Sequence, residues 1–249
     1  MLPAAGSAAV PPGAPSLSEI VERHTRARGG RARLDRLRSQ SVELQIVEGG
    51  SVIEARYKCV KTPAYRIDVY DAKKLVFREG LDAAGPWVWP SSQPAPRQGV
   101  PDGRRTAMQG ITFNLYGLHA FPALGNPLTL AGRELHGGVN YHVVRVAMTD
   151  GYETYLFIDP ETWLIGRRRD VRAFHPDVND TKKHLETQYG DYRPVDGLQF
   201  PFIEHQVDLG TGAITQVTVV RSAAYDTAFD AAIFRRTYEP NTPSPAPSP

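Results

Sequence analysis

Thiols are almost missing from this chain: Cys59 is the single cysteine in 249 residues. That excludes an intramolecular disulfide and a multi-thiolate metal centre. Cys59 itself follows Tyr57 and Lys58 in an alternating run and reads as a small buried strand residue. No stretch reaches the roughly 18 consecutive apolar residues of a membrane-crossing helix. No lipobox-type cysteine stands near the start. Residues 1–15, rich in Ala, Gly, Ser and Pro, lack the basic and apolar regions of a signal peptide. A dominant charge is missing too. The 29 Lys and Arg nearly balance the 27 Asp and Glu, for a formal net charge of +2, so no nucleic-acid partner is expected. The nucleophile elbow, P-loop, dinucleotide fingerprint, HExxH helix and EF-hand loop are all absent. No two of the 7 histidines fall at metal-ligand spacing. Neither a metal nor a cofactor is expected.

What is present has the makings of a β-rich globular domain. Hydrophobic residues make up 41% and charged residues 22%, far from the composition of a disordered chain. The 22 Gly and 21 Pro imply many turns. Two end segments, 1–15 and the Pro-rich 239–249, carry too little apolar surface to pack and are expected to be disordered. One domain is expected between them, over 16–238.

A first helix is expected to start near Ser16 or Ser18. Ser16 stands three residues before Glu19, a capping-box spacing, and Gly29-Gly30 supplies the stop. A short second helical turn passes through Leu34 and Leu37. Strands follow at 41–48 and 51–61 around Gly49-Gly50, a strong hairpin signal. Further strands read at 65–70, 74–80 and 86–90. Alternation puts one set on a common dry face: Leu44 and Ile46, Ile53 and Tyr57, Ile67 and Val69, Leu75 and Phe77, Trp87 and Trp89. A linker at 90–103 leads to a helix expected over 104–121, with Met108, Ile111, Leu115 and Leu118 at helical spacing. Gly110 and Gly117 each weaken it by about 1 kcal/mol relative to Ala, which suits a movable element. Seven more strands read between 128 and 225, joined by short turns and therefore antiparallel. A sheet of roughly ten strands must curl or split. The expected architecture is mainly β: a curved antiparallel sheet forming an unclosed half-barrel, with an N-terminal helix and a central lid helix. Apolar side chains that line such a sheet without filling it leave room for an apolar ligand.

The polar candidates mostly have ordinary readings. His205 shares a face with Ile203 and Val207 and reads as a partly buried histidine. His175, Asp177, Asn179 and Asp180 read as a turn-forming loop rather than a calcium site. Arg167 and Arg169 share one strand face and Arg168 takes the other. A solvated face is the default, and the alternative is Arg168 reaching inside towards a lipid head group or carboxylate. Asp191-Tyr192-Arg193 leads into the Asp196-Gly197 turn and reads as structural, with Arg193 satisfying turn carbonyls or a neighbouring carboxylate.

Three segments carry a family resemblance. One is Tyr155-Leu156-Phe157-Ile158-Asp159-Pro160-Glu161-Thr162 followed by Leu164-Ile165. The second runs Asp191-Tyr192-Arg193-Pro194-Val195-Asp196-Gly197-Leu198-Gln199-Phe200-Pro201-Phe202. The third is Ala228-Phe229-Asp230-Ala231-Ala232-Ile233-Phe234. Together with the first helix and the meander, they resemble the outer-membrane lipoprotein-sorting superfamily of LolA/LolB-like periplasmic carriers, over roughly 17–238. The resemblance implies an unclosed antiparallel barrel whose helices cover a hydrophobic cavity. It implies a non-catalytic periplasmic carrier of lipid or lipoprotein acyl chains; a monomer is expected, and residues 1–15 read either as the remnant after a cleavage site or as an added start. Loading by an inner-membrane transporter, or delivery to an outer-membrane acceptor, belongs to the same implication. Arg56, Arg66 and Arg168 are the candidates for the arginine that controls the lid in that family.

The dry-face residues from Leu44 to Trp89 named above, with Met108, Ile111, Leu115 and Leu118 of the helix, are thus the expected ligand-binding wall. No catalytic residue is expected. Two other classes stay open on the residues alone. An enzyme acting on an apolar substrate in the same cavity needs an interior polar cluster, around His205, Tyr57 or Asp191. An interaction module of an envelope transport complex needs a filled core and an exposed edge strand.

Overall fold

The structure, a computed structural model, describes residues 14–177 and 179–236. Most of the two end segments expected to be disordered therefore lies outside the described residues. Two helices open the chain, α1 (Leu17–Ala27) and α2 (Arg31–Arg36). Five strands follow: β1 (Ser39–Glu48), β2 (Ser51–Val60), β3 (Ala64–Asp71), β4 (Lys74–Asp82) and β5 (Gly85–Pro90). A two-residue strand β6 (Arg97–Gln98) precedes helix α3 (Pro101–Leu115). After two 3₁₀ turns come β7 (Leu128–His136), β8 (Val139–Ala147), β9 (Glu153–Ile158) and β10 (Ile165–His175). The last strands are β11 (Asn179–Val195), β12 (Leu198–Asp208) and β13 (Ile214–Tyr225), with a final 3₁₀ turn at Ala231–Phe234.

All thirteen strands lie in one antiparallel sheet, in the order β6-β5-β4-β3-β2-β1-β13-β12-β11-β10-β9-β8-β7. The edges β6 and β7 do not pair with each other, so the barrel stays unclosed. Every neighbouring pair is also consecutive in sequence except β1–β13.

The capping box forms as expected. The Ser16 backbone N–H donates to Glu19 Oε2 at 2.7 Å, and the Glu19 N–H donates to Ser16 Oγ at 3.3 Å. α1 then turns Ile20 into a core of Val144, Val146, Leu156 and Ile158 on the concave face of β8 and β9. Each such buried aliphatic side chain stabilises by roughly 1.5–3 kcal/mol. The chain leaves α1 through Gly29, whose φ is +125°. A Cβ there would stand 2.3 Å from the Gly197 carbonyl oxygen. Only glycine lets α1 end against the β11–β12 turn.

α3 covers the other end of the concave face. Pro101 occupies its first position, where a missing N–H costs nothing. Ala107, Ile111 and Leu115, four residues apart, press onto Cys59, Tyr65 and Leu81. The helix begins earlier and ends sooner than the expected span of 104–121. Tyr116 is extended and Gly117 favours no helix. Beyond them, Leu118 and Phe121 are buried in the α1 core instead. Burying those two side chains outweighs one more helical turn. Leu118 therefore belongs to a 3₁₀ turn and not to the α3 face.

Trp87 and Trp89 require a second correction. Directly opposed residues of an antiparallel pair share a face. Trp87 opposes Gly80 and Trp89 opposes Arg78, in the rows of Arg66 and Asp68. These rows face away from α3; Val88 is the inward residue, opposite Glu79. Trp87 stays dry under the chain end, and Trp89 under the Arg78 guanidinium 5.4 Å away, with its Nε1–H donating to the Gln93 carbonyl at 3.0 Å. Trp87 Nε1 donates to the Phe234 carbonyl at 3.1 Å, and Arg66 Nη1 donates to the Ile233 carbonyl at 2.9 Å.

Candidate functional site

The site lies beneath α3. Two adjoining cavities, of about 440 Å³ and 210 Å³, share Thr106, Gln109, Tyr152 and Arg172 in their walls. The smaller one runs under the helix. Tyr57, Tyr65 and Ile67 from β2 and β3, Ala107, Gly110 and Phe113 from α3, and Arg168 from β10 enclose it. The larger one opens beside Arg105, Asp150 and Lys182. The helix spans them on two polar contacts. Gln109 Nε2 donates to Asp150 Oδ2 at 2.9 Å, and Asn114 Nδ2 donates to the Tyr57 hydroxyl at 3.2 Å. At its start, the Val100 N–H donates to Asp177 Oδ1 at 2.9 Å.

The expected ligand-binding residues divide into five groups. Tyr57 and Ile67 line the smaller cavity. Ile111 and Leu115 are 2% and 0% exposed and pack into filled core, with Met108 against its margin. Leu44, Ile46, Ile53, Val69 and Phe77 share the concave rows with Tyr57 and Ile67 but are not among the described walls of either cavity. Leu75 pairs with Tyr70 across a register shift that breaks the row. Trp87, Trp89 and Leu118 lie elsewhere, for the reasons given above.

The polar wall comes from β10. Alternation sends Arg168, Asp170 and Arg172 inward, because they share rows with Leu156 and Thr154 of the α1-facing side. Asp170 collects the group: it accepts the Tyr152 hydroxyl at 2.5 Å and Arg172 Nε at 3.1 Å, and lies 3.3 Å from Arg168 Nε. The Arg168 guanidinium stands 5.6 Å over the Phe113 ring of α3. Among the described residues, its Nε is buried without a hydrogen-bond partner. Glu204 and Tyr189, opposite each other on β12 and β11, complete the surroundings. Burial pushes the Glu204 carboxyl above its ordinary range against the pull of Arg168 and Arg172, and pushes the Tyr189 hydroxyl to about 12.

Arg167 and Arg169 point the opposite way and both engage Glu186, Arg169 Nε at 2.6 Å. The Arg triplet is thus split between faces, with the inward reach of Arg168 realised. The residues missed from the sequence are Tyr65, Tyr152, Asp170, Arg172 and Glu204. A signal for them existed. Arg168, Asp170 and Arg172 fall on one face of their strand and Arg167 and Arg169 on the other, so neither face is wholly apolar and the buried side must be partly polar. Arg56 and Arg66 lie in outward rows with Asp68, so of the three candidate lid arginines only Arg168 lies under the helix. His205 opposes Gln188 in a row outside the Glu204 face, and Asp191 is paired with Arg193 Nη2 at 2.6 Å on the surface. Neither takes part in the interior cluster.

Two further titratable groups are buried where the helices meet the sheet. His24 Nδ1 donates to the Trp163 carbonyl at 2.8 Å. Burial, with the charges of Arg28 and His119 beside it, holds the His24 imidazole down at about 4. Burial also pushes the Cys59 thiol up to about 12. Among the described residues, no group of three or more His, Cys, Asp or Glu is placed to hold a metal ion, and no helix is long and apolar enough to cross a membrane.

No model of a known family matches the sequence, and no curated protein matches it. Solved structures do match. A LolA superfamily protein from Nitrosomonas europaea aligns with a TM-score of 0.58 at 13% identity, over 89% of this chain and 98% of that one. A DUF1329 family protein from Desulfovibrio piger aligns at 0.57 and 14% identity, over 88% and 96%. A putative outer membrane lipoprotein-sorting protein domain from Vibrio parahaemolyticus aligns at 0.54 and 9% identity, over 87% and 94%. The chain has the LolA-like fold, across nearly the full length of each of these proteins.

Proposed function

We propose that this protein is a non-catalytic carrier of lipid, working in the periplasm and taking up the acyl chain of a lipid or lipoprotein beneath α3. The observation that supports this most directly is the cavity pair between a helix and an unclosed barrel, with Ala107, Phe113, Ile67, Tyr57 and Tyr65 on its apolar side. Each CH₂ moved from water to such a wall contributes roughly 0.8 kcal/mol, so one chain supplies affinity without a reaction. α3 is the lid: it enters through a Pro-rich segment, contains Gly103 and Gly110, and ends at an extended residue. The LolA-like fold supports the reading. Exchange with an inner-membrane transporter or an outer-membrane acceptor, by a monomer, belongs to the same proposal.

The test is displacement of a fluorescent fatty acid from the wild type and from Gly110→Leu. A Cβ at Gly110 would lie 3.7 Å from the Tyr57 hydroxyl, so the larger side chain fills the cavity without breaking the core. Expected are saturable binding by the wild type and at least tenfold weaker binding by a variant that melts no lower. Absence of binding by the wild type overturns the proposal.

A second reading rests on the Tyr152–Asp170–Arg172 contact, which is the kind of interior polar cluster that an enzyme on an apolar substrate would need. Chemically altered lipid recovered after incubation would decide for it; unaltered lipid decides for the carrier.

A further inference from the structure

The floor of the cavity is not built for an alkyl chain alone. Arg168 and Arg172 both reach into it from β10; Asp170 engages both, and Arg172 Nη2 also donates to Gln206 Oε1 at 3.0 Å. The Asp170 carboxylate is already committed to the Tyr152 hydroxyl. Arg168, only 18% exposed, is left with a buried Nε that lies 3.3 Å from Asp170 but, among the described residues, makes no hydrogen bond. A buried donor without an acceptor is destabilising until something supplies one. Glu204, the other acid facing these arginines, is half-buried, and desolvation holds its carboxyl above the ordinary range. Glu79 stands on β4, which approaches the cavity from the far arm of the sheet, and it takes the Tyr65 hydroxyl at 2.8 Å. The cavity therefore has a cationic end at β10, an apolar middle at Ala107, Ile67 and Phe113, and an acid at its β4 end.

Resting on the carrier reading above, we propose that the ligand is an amphipathic anion whose negatively charged head sits on Arg168 and Arg172 while its chain lies under α3. The guanidinium fork matches a carboxylate or a phosphate oxygen pair, and Phe113 over Arg168 closes the site from the helix side. The head enters beside Thr106 and Gln109, where the two cavities meet. An anion there supplies the Arg168 guanidinium with a further acceptor beside Asp170.

The test displaces the neutral probe N-phenyl-1-naphthylamine with laurate, monododecyl phosphate and dodecanol, which share one chain length. Wild-type protein is expected to bind at least one of the two anions tenfold or more tighter than the alcohol. Which anion wins tells a free carboxylate from a phosphate head. Arg168→Gln is expected to lose that preference and keep its affinity for dodecanol. If that variant fails to bind the probe, Arg172→Gln and the wild-type salt dependence of the anion preference replace it: the preference is expected to shrink in both. Equal binding of all three ligands by the wild type overturns the anionic head while leaving the carrier intact. Failure of all three ligands and of the probe removes the carrier reading itself.

Discussion

Acidification from pH 7.5 to 4 tests how α1 is held. His24 is 4% exposed, and its Nδ1–H reaches the Trp163 carbonyl at 2.8 Å. In the unfolded chain its imidazole titrates near 6.5, and in the folded chain near 4. A folded value below the unfolded one means that the unfolded state takes up the proton first. Stability is complete above about 6.5 and is lost as pH falls towards 4. The gap of about 2.5 units, at 1.36 kcal/mol each, gives a loss on the order of 3 kcal/mol. That is a large share of the 5–15 kcal/mol that holds a typical domain. Carboxylates such as Asp35 and Asp208, held below their usual range by His119 and Lys183, begin to lose their contribution only as pH approaches 4 and below, so the acid end of the wild-type curve does not belong to His24 alone. His24→Asn keeps an N–H near the Trp163 carbonyl and has no proton to gain. Urea denaturation of both proteins, followed by far-UV circular dichroism every half pH unit, yields the difference. The wild type's advantage over the variant is expected to shrink by about 3 kcal/mol between pH 7.5 and 4. A difference that stays constant within about 0.5 kcal/mol would refute the reasoning.

Other outcomes follow from single contacts. Gly29→Ala forces a side chain into the 2.3 Å gap to Gly197 at a φ of +125°, and a loss of at least ~2 kcal/mol is expected in thermal melts. Asp68 accepts Arg66 Nε at 2.9 Å and Arg78 Nε at 2.8 Å while only 6% exposed; Asp68→Ala leaves two uncompensated cations and is expected to cost about 3–5 kcal/mol. Arg193→Ala removes an ion pair that is more than a third exposed on both sides, so less than about 1 kcal/mol is expected, with ligand binding unchanged. Cys59 is fully buried with its thiol raised to about 12; at pH 8 it is expected to ignore Ellman's reagent until the protein is unfolded.

Local rules made most of the sheet legible. Gly49-Gly50 sets the β1–β2 register, and the pairs Leu44–Ala55 and Ile46–Ile53 follow from it. Ser16 and Glu19 announced the first helix because a capping box is a contact within four residues. The failures are non-local. Alternation puts Trp87 and Trp89 on the dry face, and nothing nearby in sequence reveals that Ile233 and Phe234 come back over the outer face at Trp87 and Arg66. Leu118 continues the helical spacing of Leu115, yet the core it joins is supplied by α1 and β8–β9. The ionic floor escaped because a charged strand residue is normally solvated. Only the curvature of the sheet, with α3 laid across it, makes Arg168 an interior residue.

The strand order has a consequence for how the chain assembles. Eleven of the twelve pairings join sequence neighbours through short connections, or β5 to β6 close by, and can form from local encounters. The β1–β13 seam is different: Gln40 must find Tyr225, and Glu48 must find Gln216. Two meanders, one running from β1 to β6 and the other from β7 to β13, can each zip independently, and the first and last strands then join them in the middle of the sheet. The entropy of docking the two halves, joined through the segment between β6 and β7, falls on that single step. Until it is taken, both strands are open edges that offer unpaired backbone to any passing chain. Aggregation during refolding should therefore track the lifetime of the unjoined halves, and a chain permuted to run from β7 through β13 into β1 would make the seam a local hairpin.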